Sequence, residues 1–213
     1  MNPLLNFGQQ TYIMGIINVT PDSFSGDGLA ASQNPVAAAL KQAEGFVQSG
    51  AHILDIGGES TRPGAEPVTA EQELERVLPV VKALVKSDFP TLISVDTYRA
   101  STAQAALEAG ADWINDVWGL QADHALADVC SQAGVPVVLM HNRSKASQAV
   151  LGRYVGVEYE NLLEDVKREL LASVEIARAS GIEDRNIILD PGIGFGKTVE
   201  QNLELLNRLD EIR

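Results

Sequence analysis

The chain has 213 residues, 45% of them apolar, with a mean hydropathy near zero, which is enough to bury the core of one soluble domain and excludes a disordered chain. A formal charge of −13, from 29 acidic against 16 basic side chains, excludes a nucleic-acid surface, whose phosphates demand a basic face. One cysteine, Cys130, excludes an intramolecular disulfide and reads as a buried structural thiol; with no signal-like N-terminus and no run of 18 apolar residues, the chain reads as cytoplasmic and not as a membrane protein.

In chain order, the first strand-like run is YIMGIIN, ending on Asn18. Asn34-Pro35 then offers a cap and a first-turn proline to VAAALKQAEGFVQS, which stops at Gly50. The run HILD brings Asp55. Thr69 with Gln72 forms a capping box before ELERVLPVVKALV, where Pro79 should kink the helix or lie near its start. TLISVD ends on Asp96, and the helix after Tyr98 stops at Gly110. WIN ends on Asn115, and a helix runs from after Asp123 to Gly134. VVLMH ends on His141, followed by a long helix from about Glu158 to Gly181. IILD ends on Asp190, and the chain reaches Arg213 inside a sixth helix.

Strand and helix alternate throughout, and ISVD, VVLM and IILD are apolar on both faces, as expected of parallel strands under helices. A doubly wound sheet would carry GxGxxG after its first strand; here VTPDSFSGDG follows. The fold class is therefore α/β, a TIM-type (β/α)8 barrel with only six βα units in this chain, residues 1–213 forming a single domain that is incomplete at its C-terminus. Barrel active sites form at the carboxyl ends of strands, where Asn18, Asp55, Asp96, Asn115, His141 and Asp190 fall.

The segments NVTPDSFS, DIGGESTRPGA, SVDTYRA, INDVWG, VLMH and DPGIGFGKT follow the six strands in order, and together they resemble the dihydropteroate synthase family of pterin-binding enzymes over essentially the whole chain. The resemblance implies condensation of 6-hydroxymethyl-7,8-dihydropterin pyrophosphate with para-aminobenzoate, giving dihydropteroate and pyrophosphate. It assigns Asp190 to the amino and N3-H edge of the pterin, Asn115 to the neighbouring ring nitrogen, Asp96 to the side near N8 and the pyrophosphate, and Met140 to the ring face. The chemistry agrees, since a carboxylate accepts from the amino and N3-H edge and an amide both donates and accepts. Carboxylates at the same places also cap the helices that follow.

By the same resemblance Asn18 ligates Mg²⁺ on the pyrophosphate, a cation that keeps waters and phosphate oxygens and needs few protein ligands; an Asn ending a strand is otherwise a turn former. Phe24, Thr61 and Pro63 fall in the loops that close over aminobenzoate and define the sulfonamide-sensitive pocket, and Arg62, with Asp96 in the catalytic set, meets pyrophosphate charge. Loop one reads SFSGDG where the family commonly reads SFSDGG, so Asp27 stays outside the catalytic set. The implied mechanism is SN1-like, with pyrophosphate leaving before the arylamine attacks and no protein nucleophile. The family's SRK and RVHD segments on strands seven and eight do not occur, which leads to the expectation that this polypeptide alone is impaired or inactive.

GIGFGKT does not make a phosphate-binding P-loop, because GxxxxGK[ST] requires glycine at 191 and Pro191 stands there. A corrinoid-dependent pterin methyltransferase domain and a non-catalytic pterin-binding module remain the alternatives; TPDSFS and ESTRPGA favour the synthase, and DxHxxG is absent. His52 and His124 carry no signal, while His141 either faces the site or makes a structural hydrogen bond. Trp113 and Trp118 are expected against helices. The family is typically homodimeric, through contacts toward the C-terminal helices.

Overall fold

A computed structural model describes residues 8–20, 34–60, 67–144, 149–150, 153–154 and 157–212. Six strands pair in one all-parallel sheet: β1 (Met14–Asn18), β2 (Ile53–Gly57), β3 (Leu92–Asp96), β4 (Trp113–Asp116), β5 (Val137–Met140) and β8 (Ile187–Asp190). Between the last two lies a short antiparallel ladder of β6 (Ala149–Val150) and β7 (Arg153–Tyr154), which has no counterpart in the sequence reading. Spatial order equals chain order from β1 to β8, with no reversal, so the sheet is a barrel arrangement and not a doubly wound one.

Six helices alternate with these strands: α1 (Pro35–Gln48), α2 (Ala70–Ser87), α3 (Ala100–Glu108), α4 (Ala125–Ala133), α5 (Leu162–Ala179) and α6 (Val199–Asn207). Their starts follow local chemistry. Asn34 accepts a hydrogen bond from the Ala37 N–H at 3.0 Å, and both halves of the Thr69–Gln72 capping box are formed. The helix α2 continues through Pro79, which sits on its exposed side. Two boundaries differ from expectation. The helix α5 begins at Leu162, because Asn161 accepts from the Glu164 N–H, and not at Glu158. A second capping box, Thr198 with Gln201, opens α6, which ends at Asn207; Leu209–Glu211 form a 3-10 turn, so the chain does not close inside a helix.

Side chains alternate across the sheet and sort the core into two layers. Leu54, Ile56, Val95, Ile114 and Leu139 point outward and pack with Val77, Ala103, Leu126, Cys130 and Ala177 from the helices. Ile53, Leu92, Trp113 and Val138 point inward and form an apolar floor with Met14 and Ile188. Trp113 thus packs inside the sheet's curve and not against helices, because it shares the face of Asn115 two residues on. Among the described residues, β1 and β8 pair on one side only, and Ile13, Ile16 and Leu189 beside those edges are exposed.

Leu126 is fully buried and Leu203, on the outer side of α6, is 61% exposed. Leu126→Ala is expected to lower the unfolding free energy by about 2–5 kcal/mol in denaturant titration. Leu203→Ala should stay within about 0.5 kcal/mol of the parent.

Candidate active site

The sheet register gathers the polar positions. Asn18 pairs with Gly57, Gly57 with Asp96, and Asp96 with Asn115, so one row runs across the carboxyl ends of four adjacent strands. One step along, Met140 pairs with Asp190. Each of these lies an even number of residues from an inward-facing floor residue on its own strand, so all face the barrel interior. Gly57 adds no side chain to the row. A Cβ there would stand 3.5 Å from Asp96 Oδ2 and 3.7 Å from Asn18 Oδ1, so those two oxygens flank one open space.

Asp55 lies in the layer beneath, 1% exposed. Asn115 Nδ2 donates to Asp55 Oδ2 at 3.0 Å, which orients the amide and leaves its carbonyl oxygen and second N–H to offer upward. Asp55 Oδ1 and the register-matched Ser94 hydroxyl are buried without a hydrogen-bond partner. Burial raises the Asp55 carboxyl above its usual range; Ser94 and Asn115 pull it back, Ser94 as a neighbouring dipole, since its oxygen is not at bonding geometry. Asp96, half-buried above it, is raised well above the carboxylate range, first by desolvation and then by the charges of Asp55, Glu73, Asp116 and Glu59. A protonated Asp96 can donate a hydrogen bond as well as accept one.

Asp190 is held from two sides. Its Oδ1 accepts from the Gly192 N–H at 2.7 Å, and its carbonyl accepts from the His141 N–H at 2.9 Å. Gly192 has φ +67°, and a Cβ on it would fall 1.9 Å from the His141 carbonyl oxygen, so only glycine fits this turn. Met140, buried, packs beside it, its Cγ 3.2 Å from that same Cβ position.

Two polar residues, each one position past a member of that set, point elsewhere. Asp116 is on the outward face, where it accepts from the N–H groups of Trp118 and Leu120; burial raises its carboxyl to about 6. His141 lies one residue beyond Met140 and turns toward α5, where its Nε2 meets Glu169 at 2.9 Å. Of the open choice for His141, the structural hydrogen bond is the one realised. Phe24, Thr61, Arg62 and Pro63 lie outside the described residues. The residues flanking 61–66 are tied together: Arg99 bonds Glu59 at 2.5 Å, Glu73 at 2.9 Å and the Val68 carbonyl at 2.7 Å. Glu73 also accepts from Thr102, so Oε2 of this buried carboxylate takes two donors. No group of three or more His, Cys, Asp or Glu able to hold a metal occurs among the described residues.

Sequence reasoning passed over Asp55 as the group that orients Asn115 and Lys197 as a buried cation. Strand parity carried the first signal, because Asp55 and Gly57 share the face of Ile53. The second carried none, since a lysine after glycine is indistinguishable from a surface cation.

Aspartate, amide and second aspartate thus stand at the carboxyl ends of β3, β4 and β8 in a parallel sheet of barrel order. Residues 14–213 fit the family of pterin binding enzymes, and the chain belongs to it. Within that family it is a homologue of dihydropteroate synthase: the enzyme of Clostridium beijerinckii is 49% identical over 98% of this chain and 72% of its own length. The structure of dihydropteroate synthase from Clostridium difficile in the presence of pteroic acid superposes with a TM-score of 0.85 at 42% identity, covering 98% of this chain and 74% of that one. The Yersinia pestis enzyme in complex with a sulfonamide drug superposes at 0.84 and 40% identity, over 94% of this chain and 69% of that one.

Burial, with the Lys197 charge second, lowers the His141 pKa from 6.5 to about 4. The unfolded chain then binds more protons between those values, so the stability His141 contributes is present above pH 6.5 and lost as pH falls toward 4. The difference in unfolding free energy between the parent and His141→Gln should shrink over that window in pH-dependent denaturation.

Proposed function

We propose that this chain binds 6-hydroxymethyl-7,8-dihydropterin pyrophosphate at the carboxyl ends of β3, β4, β5 and β8 and joins it to para-aminobenzoate, giving dihydropteroate and pyrophosphate. The observation that carries the reading is the inward row of Asp96 and Asn115, with Asn115 oriented by Asp55, facing an Asp190 fixed by the Gly192 turn. With Oδ1 partly used by the Gly192 N–H, Asp190 keeps its other oxygen and further lone pairs for the paired donors of the pterin amino and N3-H edge. Asn115 offers both a donor and an acceptor to the adjoining ring nitrogen. Met140 supplies a polarizable face against the ring.

In the condensation, the C–O bond from the pterin methylene to pyrophosphate breaks and a C–N bond from the arylamine forms, the amine losing a proton. No group here needs to act as a nucleophile; burial pushes the Cys130 thiol up to about 12, which keeps it inert. Catalysis rests on positioning and charge. Burial and the surrounding carboxylates, which raise the Asp96 carboxyl, disfavour a full negative charge on it beside the pyrophosphate. Residues Phe24, Thr61, Arg62 and Pro63 are proposed to cover the aminobenzoate and the leaving group.

The donor set also fits Mg²⁺. The Asn18 amide oxygen, half-buried beside the open space over Gly57, is a hard ligand suited to a cation that keeps its waters and phosphate oxygens. When bound, the ion would neutralise charge on the departing pyrophosphate. A cytoplasmic setting suits the single buried thiol, and no helix among the described residues is long and apolar enough to cross a membrane.

Calorimetric titration with the dihydropterin pyrophosphate and Mg²⁺ tests the site. Asp190→Asn is expected to remove about 1.5–3 kcal/mol of binding, a loss of roughly 10- to 150-fold in affinity. Equal affinity in parent and variant would overturn the pterin assignment. Asn18→Ala should leave pterin affinity in the absence of Mg²⁺ unchanged and abolish the gain that Mg²⁺ confers.

A further inference from the structure

Lys197 is 8% exposed and belongs to none of the roles above. Its ammonium has three N–H donors and meets three acceptors: the Gly192 carbonyl at 2.8 Å, His141 Nδ1 at 3.0 Å and the Phe195 carbonyl at 3.1 Å. Because Lys197 only donates, His141 Nδ1 must be unprotonated, and the ring proton sits on Nε2, facing Glu169. Glu169 is in turn gripped by Arg143, whose Nη1 reaches the Glu158 carbonyl and whose guanidinium lies over the Tyr159 ring at 4.2 Å. Tyr159 closes the circuit by donating from its hydroxyl to the Gly196 carbonyl at 3.1 Å.

Two of the three acceptors are the residues that hold Asp190. Gly192 gives its N–H to Asp190 Oδ1, and His141 gives its N–H to the Asp190 carbonyl. We propose that Lys197 is a positioning residue for pterin recognition, its ammonium clamping the 192–195 turn to His141 so that the Asp190 carboxylate is held at a fixed aim into the site. The inference rests on the reading of Asp190 as the pterin acceptor.

The clamp needs all three protons of the ammonium. A neutral amine has two N–H donors, so deprotonation releases one of the three acceptors. The groups facing Lys197 are Asp190 from the end of β8, Glu169 from α5, His141 and Arg143 from the segment after β5, and Tyr159 ahead of α5. Burial pushes the ammonium down to about 8; the Asp190 and Glu169 charges oppose that shift and Arg143 adds to it. The clamp is therefore complete below pH 8 and is lost as pH rises through it.

The test measures affinity of the whole chain for the dihydropterin pyrophosphate from pH 7 to 9.5, in the parent, Lys197→Met and Asp190→Asn, with amide hydrogen exchange of residues 190–196 in parallel. Parent affinity is expected to fall about tenfold between pH 8 and 9. Lys197→Met should bind at least tenfold more weakly at pH 7, show no alkaline decline, and lose exchange protection in 190–196 while α1 to α4 keep theirs. An Asp190→Asn variant that binds as the parent does would defeat the pterin reading while the exchange data still decided the clamp. If Asp190→Asn weakens binding but the parent profile is flat to pH 9.5 and Lys197→Met binds and exchanges like the parent, the clamp is wrong.

Discussion

A parallel strand covered on both faces must send successive side chains to opposite sides, and where the polar groups of the six strands end up depends on that constraint. In β3 it places Ser94 and Asp96 inward and Ile93 and Val95 against the helices. In β4 it separates neighbours of similar chemistry: Asn115 faces the interior and Asp116, one residue on, becomes a cap for the following turn. The in-step pairing of all six strands then lines up single residues from distant parts of the chain, so that Asn18, Asp96 and Asn115 share a row although the chain passes through three helices between the first and the last.

The interior beneath that row is built for orientation more than for stability. An apolar residue in place of Asp55 or Ser94 would spare the cost of two buried polar atoms that bond to nothing. What Asp55 supplies is a fixed amide at Asn115, and a raised neighbour at Asp96. Below it, Ile53, Leu92, Trp113 and Val138 make a floor with no polar atoms of their own to satisfy, apart from the Trp113 ring N–H. A rigid apolar floor under a sparse polar layer is how a site keeps its geometry before its ligand arrives.

The fold was legible because strand ends, caps and apolar runs are local signals: Asn34 and Thr69 cap the helices they were expected to cap, and the six runs became six strands. What was not legible depended on partners far along the chain. Trp113 was misplaced because aromatic character says nothing about which face of a strand is inward, whereas Asn115 two residues away does. His141 turned from the site because Glu169, 28 residues on, offered a partner on the other side. Lys197 was dismissed along with a failed phosphate-loop pattern; its role exists only where two carbonyls and an imidazole from separate segments converge on it. The Thr198–Gln201 box, by contrast, was written in the sequence and follows the same rule as Thr69–Gln72.

Among the described residues the sides of β1 and β8 that carry no strand partner are complementary. Both strands run the same way in one sheet, so the free edge of β8 in one molecule can pair in parallel with the free edge of β1 in the next without either strand reversing. Such a joint is heterologous: it uses up one edge on each partner and regenerates the same two edges at the ends of the pair. Growth by that route has no natural stopping number unless the rotation between neighbours happens to close a ring, and Ile16 beside one edge and Leu189 on the other would add apolar contact to it. Association by this seam would therefore make chains of molecules in line, whereas two β1 edges meeting about a twofold axis would pair antiparallel and leave a bare β8 at each end.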